Sequence, residues 1–318
     1  MSVLWSTLGQ NPSAPIADAV LFACRSELDA LKPGNVSVHR AGHDMCTDDF
    51  ARSAEAIAPV LAAPELSVGE RILAAIRATR RVVDCNTNLG IVLLCAPLAH
   101  AAARLRGGQA LRGALHQTLQ ALDERDAEFA YAAIRLARPG GLGSVPEHDV
   151  SVSQPGVTLL QAMRLAAGRD RIAWQYISDY ADVFEFAVPR LHLALARWGR
   201  GEWATVATYL ALLAAIPDSH VARKFGARAA REVSAEAARL EALLDGQPQP
   251  EQLRARLCRF DDELKQKGIN PGTTADLTVA ALMAHYLQER KEATGSRPSH
   301  EKDAARGAAS RSWISTAT

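Results

Sequence analysis

Three short polar segments interrupt a sequence that is otherwise rich in Ala, Leu and Arg and helical in its periodicity. Each segment combines turn residues with carboxylates, amides or a cation. Core packing does not require such a combination, whereas phosphates are bound by backbone N–H groups and cations, and Mg²⁺ prefers oxygen ligands. We therefore expect the segments to converge on one polar pocket between helices, of roughly 300–1,000 Å³. The segments are residues 32–45, 84–90 and 270–277.

The first segment follows a helical pattern that is ended by a proline and a glycine. It offers one cation, one amide, two imidazoles and a carboxylate, among them Lys32, Asn35, His43 and Asp44. This density of capable groups favours a phosphate- and metal-binding loop. The alternative is a solvated connection between two helices, in which Lys32 only forms an ion pair with Glu27, little more than one helical turn before it.

The second segment places Asp84, Asn86 and Asn88 within an apolar stretch. Burying these groups without partners costs about 1–3 kcal/mol each, and a ligand or a metal ion would satisfy them. On a helix, Asp84 and Asn88 would share one face. The alternative is an N-cap, in which Asp84 or Thr87 caps the following helix.

The third segment is a turn, residues 270–274, that leads into a helix with Asp276 in its first turn. The exposed N–H groups of such a helix start bind phosphate, and Asp276 would hold Mg²⁺ beside it. Threonine caps and a first-turn aspartate are also ordinary helix-start chemistry. The spacing alone does not separate the two interpretations.

Two further polar stretches leave the same choice open. Asp179 and Asp182 fall on one face of a helix predicted over residues 172–198. Two carboxylates one turn apart suit a metal ion or a general base, but exposed acids on an amphipathic helix are the ordinary explanation. A polar corner between two helices could likewise contact a triphosphate or be a solvated helix start; its residues are His220, Arg223 and Lys224.

The elements that must position these segments are helices throughout, because apolar residues recur at spacings of three and four and alternating strand patterns are nearly absent. The sequence therefore predicts an all-α protein, folded as a single compact multi-helix bundle. The predicted helices span residues 16–31, 50–61, 68–83, 89–105, 110–122, 128–136, 158–167, 172–198, 203–215, 221–244, 250–267 and 274–289.

No long linker divides the chain, so we expect one helical transferase-sized domain over residues 15–293, with disordered termini at 1–14 and 294–318. Five cysteines without C-x-x-C spacing argue against a disulfide framework or a structural zinc site and fit the cytoplasm. A net charge of +1 provides no field for nucleic acid. The most apolar run, 89–105, contains a proline, a histidine and an arginine, which predicts a buried helix rather than a membrane span.

In order along the chain, the segments resemble the motifs of the triphosphoribosyl-dephospho-CoA synthase family. These are Lys-Pro-Gly-Asn-Val followed by Gly-His-Asp-Met, then Asn-Thr-Asn-Leu-Gly, then Pro-Gly-Thr-Thr-Ala-Asp-Leu. The resemblance implies an all-helical fold and a transfer of the triphosphoribosyl group of ATP to the ribose 2′-hydroxyl of 3′-dephospho-CoA, with release of adenine.

The second motif departs from the citrate- and malonate-linked members, which typically show Asn-Thr-His-Lys-Gly, whereas this chain has Asn88 and Leu89 in place of the His-Lys pair. The residue between His43 and Asp44 is also missing. The variant resembles a divergent branch found in archaea and methylotrophic bacteria near methanopterin-linked genes. The fold and the use of ATP therefore carry over better than the acceptor.

The resemblance also implies roles for the segment residues. The phosphates and the ribose fall to Lys32, Asn35, Asn86, Asn88, Gly272 and Thr273; Mg²⁺, as the cofactor that screens the triphosphate, to Asp44 and Asp276; and catalysis to His43 and Asp84. The imidazole of His43 suits proton transfer because its ordinary pKa lies near neutrality.

Three interpretations stay open. They are the transferase that uses ATP and dephospho-CoA, a related nucleotide-dependent ribosyl transferase that makes another cofactor such as a methanopterin-type carrier, and a helical binding protein without catalysis. The expected partners are small-molecule substrates, with no nucleic acid and no membrane, and a homodimer is compatible with the sequence.

Overall fold

A computed structural model describes residues 14–40, 46–106, 108–139, 150, 155–199 and 201–295. In these residues the chain forms thirteen α-helices and no strand, which confirms the predicted all-α bundle. The expected disordered tails fall almost entirely outside the described residues. The helices are α1 Ala14–Asp29, α2 Thr47–Ala62, α3 Val68–Val82, α4 Leu89–Ala103, α5 Leu111–Gln120, α6 Glu124–Ala137, α7 Leu159–Ala166, α8 Arg171–Ile177, α9 Val188–Trp198, α10 Gly201–Ala215, α11 Ser219–Asp245, α12 Arg254–Gln266 and α13 Gly272–Gly295.

Local sequence explains where several helices begin. Ser67 precedes α3 and accepts a hydrogen bond from the backbone of Glu70, whose side chain bonds back to the Ser67 backbone. The same reciprocal capping box starts α6 and α7. Because each box satisfies N–H groups that the helix itself leaves unpaired, these starts are set by short-range sequence.

The centre of the bundle is α4, which is apolar on all sides and packs against α2, α3, α5 and α13. Pro97 lies inside this helix and cannot donate a hydrogen bond to the carbonyl of Leu93, four residues before it. The hydroxyl of Tyr176 donates to that carbonyl at 2.6 Å, and Tyr180 donates to the carbonyl of Leu94 at 2.9 Å. Two buried tyrosines thus satisfy the backbone at the proline.

The single helix predicted over residues 172–198 is wrong, because the chain breaks after α8. Asp179 and Tyr180 adopt left-handed φ angles of 51° and 56°, and a π-helical turn, Asp182–Ala187, leads into α9. This turn lets Tyr180 reach α4. The amphipathic pattern did not reveal it, since the break depends on a contact with a helix distant in sequence.

The acids of this region form ion pairs rather than a metal site. Asp182 receives two hydrogen bonds from Arg171, at 2.6 and 2.8 Å, and Asp179 lies 2.9 Å from a nitrogen of His116. The ordinary interpretation of this acidic face therefore holds.

The arrangement that matters for the site is the packing of α13 against α1 and α4. Buried apolar side chains from all parts of the bundle form one continuous core. Within the described residues, no helix is long and apolar enough to cross a membrane.

Candidate active site

One pocket lies where the three polar segments meet. It occupies about 520 Å³, a volume that includes space open to solvent. The first segment contributes Asn35, the second contributes residues 86–90, and the third contributes Asn270, Gly272 and Asp276. The expected convergence is therefore observed for members of all three segments, although they lie far apart in the chain.

The first and third segments are joined by direct contacts. The side-chain amide of Asn35 donates to the side-chain oxygen of Asn270 at 2.8 Å. Gly34 adopts a φ of +81°, and a Cβ there would lie 2.8 Å from the ring of Pro271. Only glycine combines this left-handed backbone with so close an approach, so the Lys-Pro-Gly turn has a structural reason.

The second and third segments meet at Gly90 and Asp276. A Cβ on Gly90 would overlap the Asp276 carboxylate and lie 2.5 Å from its Cγ. The missing side chain therefore leaves room for the carboxylate at the start of α4. Glycine at this position is required by contact with the site rather than by backbone angles.

Two carboxylates line the pocket, those of Asp276 and Glu27. Burial and the nearby charges of Glu27, Asp218 and Asp170 raise the pKa of Asp276 well above its ordinary value, against the effect of Arg223. No hydrogen bond to another described residue offsets these effects. Burial also raises the pKa of Glu27, although Lys32 opposes the shift. The pocket thus concentrates negative charge that its own side chains leave largely uncompensated.

Three helices begin at this pocket: α4 contributes Leu89 and Gly90, α11 contributes His220, and α13 contributes Gly272. Helix N-termini carry partial positive charge and unpaired N–H groups, and they therefore favour anions. The pocket consequently presents anion-binding backbone beside cation-binding carboxylates.

The start of α11 is fastened to the start of α13 by Asp218, which is buried. Its carboxylate accepts from the backbone N–H of Val221 at 2.9 Å, and from the N–H and hydroxyl of Thr274, both at 2.8 Å. One side chain thereby caps two helices and fixes their relative position. Burial raises the pKa of Asp218, and these hydrogen bonds oppose the shift.

We expect Asp218→Ala to lower the free energy of unfolding by about 2 kcal/mol, because removal of one N-cap costs about 1 kcal/mol and two are lost. Asp123→Ala is the matched control, since Asp123 caps only α6. Urea denaturation measures both variants. Equal losses for the two would contradict the double role of Asp218.

Lys32 does not lie where the sequence analysis expected a phosphate ligand. Its side chain is fully buried, and its ammonium donates to the carbonyls of Glu27, Ala30 and Val36 at 2.6, 3.3 and 2.8 Å. It also forms an ion pair with the Glu27 carboxylate at 3.2 Å. Lys32 thus stabilises the loop after α1 and positions Glu27, the pairing that the sequence analysis left open.

Lys32→Ala is expected to lower the free energy of unfolding by about 3 kcal/mol, because it leaves the Glu27 carboxylate buried without its partner. Lys224→Ala is the control: Lys224 is exposed, and the change should stay within about 0.5 kcal/mol. Chemical denaturation gives both values. Unchanged stability of Lys32→Ala together with weakened ATP binding would restore the phosphate role.

The second segment divides into groups that face the pocket and groups that do not. Asn86 lines the pocket, and its oxygen accepts from the N–H of Leu89 at 3.1 Å. The Asn88 amide is buried against Thr79, with hydrogen bonds of 2.9 and 3.1 Å. Asp84 is exposed before α4 and does not line the pocket, so it shares no helix face with Asn88 and its expected catalytic role has no support in the geometry.

The remaining candidates have mixed placements. Gly272 lies against the ring of His220, and a Cβ there would be 2.8 Å from Nδ1. The hydroxyl of Thr273 is engaged with that of Ser219 at 3.0 Å. His43 and Asp44 lie outside the described residues, so their expected roles remain predictions.

Two residues of the site were underrated from sequence. Glu27 was considered only as the partner of Lys32, because nothing in an amphipathic helix marks which acid faces a pocket. His220 belonged to a polar corner of three residues, of which it alone lines the pocket. Arg223 instead forms an ion pair with Asp170 at 2.6 Å.

Carboxylates and helix N-termini around one open pocket are typical of a helical protein that binds an anionic ligand together with a cation. The comparisons identify the family. Residues 13–295 match the family model for ATP:dephospho-CoA triphosphoribosyl transferase, and the chain belongs to this family of transferases.

Individual relatives are more distant. The chain is 27% identical over 275 residues to a protein of Pectobacterium carotovorum subsp. carotovorum (strain PC1) named "Probable 2-(5''-triphosphoribosyl)-3'-dephosphocoenzyme-A synthase", a match that covers 86% of this chain and 79% of that protein. The fold is similar to a crystal structure from Archaeoglobus fulgidus described as a triphosphoribosyl-dephospho-CoA synthase. That match has a TM-score of 0.57, 23% identity, and coverage of 76% of this chain and 98% of the other.

Proposed function

We propose that this chain transfers the triphosphoribosyl group of ATP to the ribose 2′-hydroxyl of 3′-dephospho-CoA. The C1′–N bond of ATP breaks, adenine leaves with the electron pair and takes up a proton, and the acceptor oxygen bonds to C1′ as its hydroxyl proton is lost. The family membership supports this reaction. The observation that carries it in the structure is the pocket that joins helix N-termini to the Asp276 and Glu27 carboxylates.

Each helix N-terminus of the pocket would contribute to holding the triphosphate. The starts of α4 and α13 offer backbone N–H groups at Gly90 and Gly272, which suit phosphate oxygens. Asn86 and Asn35 provide amides at the rim for ribose hydroxyls. A volume that includes open space suits the sugar and phosphates inside, while the long acceptor extends outward.

Mg²⁺ fits the donor set of this pocket. The Asp276 carboxylate has no hydrogen-bond partner among the described residues, and Glu27 adds a second carboxylate beside it. Hard oxygen ligands of this kind suit Mg²⁺, which when bound would neutralise phosphate charge. We assign the metal to Asp276, and to Asp44 as expected from the sequence.

Proton transfer requires a base for the acceptor hydroxyl and an acid for adenine. Glu27 is the pocket carboxylate that a buried lysine holds in place, and we assign it as the base. His220, which lines the same pocket, and His43 are the candidate acids. The ion pair with Lys32 keeps the Glu27 carboxylate oriented, because a buried charge with a fixed partner has little freedom to move.

The test is adenine release from ATP, measured by chromatography with Mg²⁺ and with or without dephospho-CoA. We expect adenine only when the acceptor is present, together with a product heavier by the triphosphoribosyl group. Formation of ADP or AMP in place of adenine would contradict the proposal.

A second candidate is the same transfer to another cofactor precursor, such as a methanopterin-type carrier. Two residues favour it: Asn88 turns towards Thr79, and Leu89 lines the pocket where related enzymes carry a cation. ATP binding without adenine release in the presence of dephospho-CoA would support this alternative, and adenine release with dephospho-CoA would exclude it.

A further inference from the structure

A second group of metal-binding side chains lies away from the pocket, between α9 and α13. It consists of His192 on α9 and of His285 and Glu289 on α13. One ligand atom from each residue lies within 4.8 Å of the others. Nε2 of His192 is 2.9 Å from Nδ1 of His285, and the two rings meet edge to face.

This spacing is close to what a shared ion requires. Two ligands of a tetrahedral ion at about 2.1 Å lie about 3.4 Å apart, so the two imidazoles need to separate by about half an ångström. Glu289 is exposed, and its side chain can rotate to bring an oxygen within reach. His285 and Glu289 are four residues apart and therefore share one face of α13.

The surroundings also suit an ion. His192 and Glu289 are exposed, which gives an ion access, while His285 is partly buried and anchors the group. No printed ion pair or hydrogen bond occupies Glu289 in the described part of the chain. The carboxylate is therefore available.

The group is separate from the active-site pocket. His285 lies nine residues after Asp276 on α13, which places it about 13 Å further along the axis and on the opposite side of the helix. An ion bound here would not contact the triphosphate. It would instead join α9 to the helix that carries Asp276.

We propose that His192, His285 and Glu289 bind a divalent transition-metal ion, with Zn²⁺ as the representative, and thereby link α9 to α13. Two imidazoles and one carboxylate are borderline ligands that favour Zn²⁺, Co²⁺ or Ni²⁺ over Mg²⁺. Three protein ligands leave a coordination position for water.

The test is calorimetric titration of the chelator-treated full-length protein with Zn²⁺, in excess Mg²⁺ that occupies the pocket carboxylates. His285→Ala and His192→Ala are each expected to remove one equivalent of bound Zn²⁺ or to weaken it at least 100-fold. His116→Ala is the matched control, because His116 is an exposed histidine that also faces a carboxylate, and it should bind as the unchanged protein does.

A thermal readout gives a second measurement. Zn²⁺ should raise the melting temperature of the unchanged protein and of His116→Ala but not of His192→Ala, a surface change that leaves the core intact. Should both histidine variants keep the full Zn²⁺ stoichiometry and affinity, the pair would be only an N–H···N hydrogen bond and the proposal would fail. Loss of the same equivalent in Asp276→Asn would place the ion in the pocket and also overturn it.

Discussion

Asp276→Asn is expected to reduce adenine release about 1,000-fold, the largest effect that we predict. The substitution keeps the shape of the side chain and removes the charge that would hold Mg²⁺ against the triphosphate. A bound metal ion contributes several kcal/mol to stabilisation of a charged transition state, and about 4 kcal/mol corresponds to this factor. Steady-state adenine formation and Mg²⁺-dependent ATP binding by calorimetry measure the effect.

Stability separates this role from a simple helix-start acid. Asp276 is surrounded by Glu27, Asp218 and Asp170, so loss of its charge relieves repulsion and should not destabilise the fold. Asp245→Asn is the control: this exposed carboxylate pairs with Arg190 far from the pocket, and activity should be unchanged. If Asp276→Asn kept full activity and lost only about 0.3–1 kcal/mol of stability, Asp276 would merely complement the helix dipole.

Gly90→Ala is expected to reduce adenine release by about 100-fold or more. The added methyl group overlaps the Asp276 carboxylate and lies 2.8 Å from the end of Ile172. Both neighbours are flexible side-chain ends, so the fold should survive while the carboxylate is displaced. A misplacement of about 1 Å at a reacting centre can cost 100-fold in rate.

The matched control is Gly113→Ala in α5, because a Cβ there meets nothing within 4 Å. Replacing an unstrained helical glycine stabilises a protein by about 0.4–1 kcal/mol. Gly113→Ala should therefore melt at a higher temperature with full activity. Equal activity of the two variants would show that the approach of Gly90 to Asp276 has no part in the reaction.

These predictions describe a site in which the backbone does much of the binding. Among the described lining residues there is no lysine or arginine, and positive charge comes from the starts of α4, α11 and α13. Asp218 holds two of these starts together. The one buried lysine near the site, Lys32, acts through the loop and Glu27 rather than on the ligand.

The sequence by itself determined the helices and the motif order, because both depend on local patterns. Apolar spacing of three and four residues predicted nearly every helix, and capping boxes explain where several begin. The segments at Asn35, Asn86 and Asp276 carried polar groups that a core does not need, and their order identified the family.

Only the tertiary structure decided which polar groups face the pocket. Lys32 and Asp84 looked as suitable as Asp276, yet one is buried against carbonyls and the other points away from the site. The break after α8 and the partnership of Gly90 with Asp276 also depend on contacts between distant helices. The physical reason is that residue type states what a side chain can bind, whereas packing between helices sets its direction and leaves Glu27 and Asp276 in one pocket.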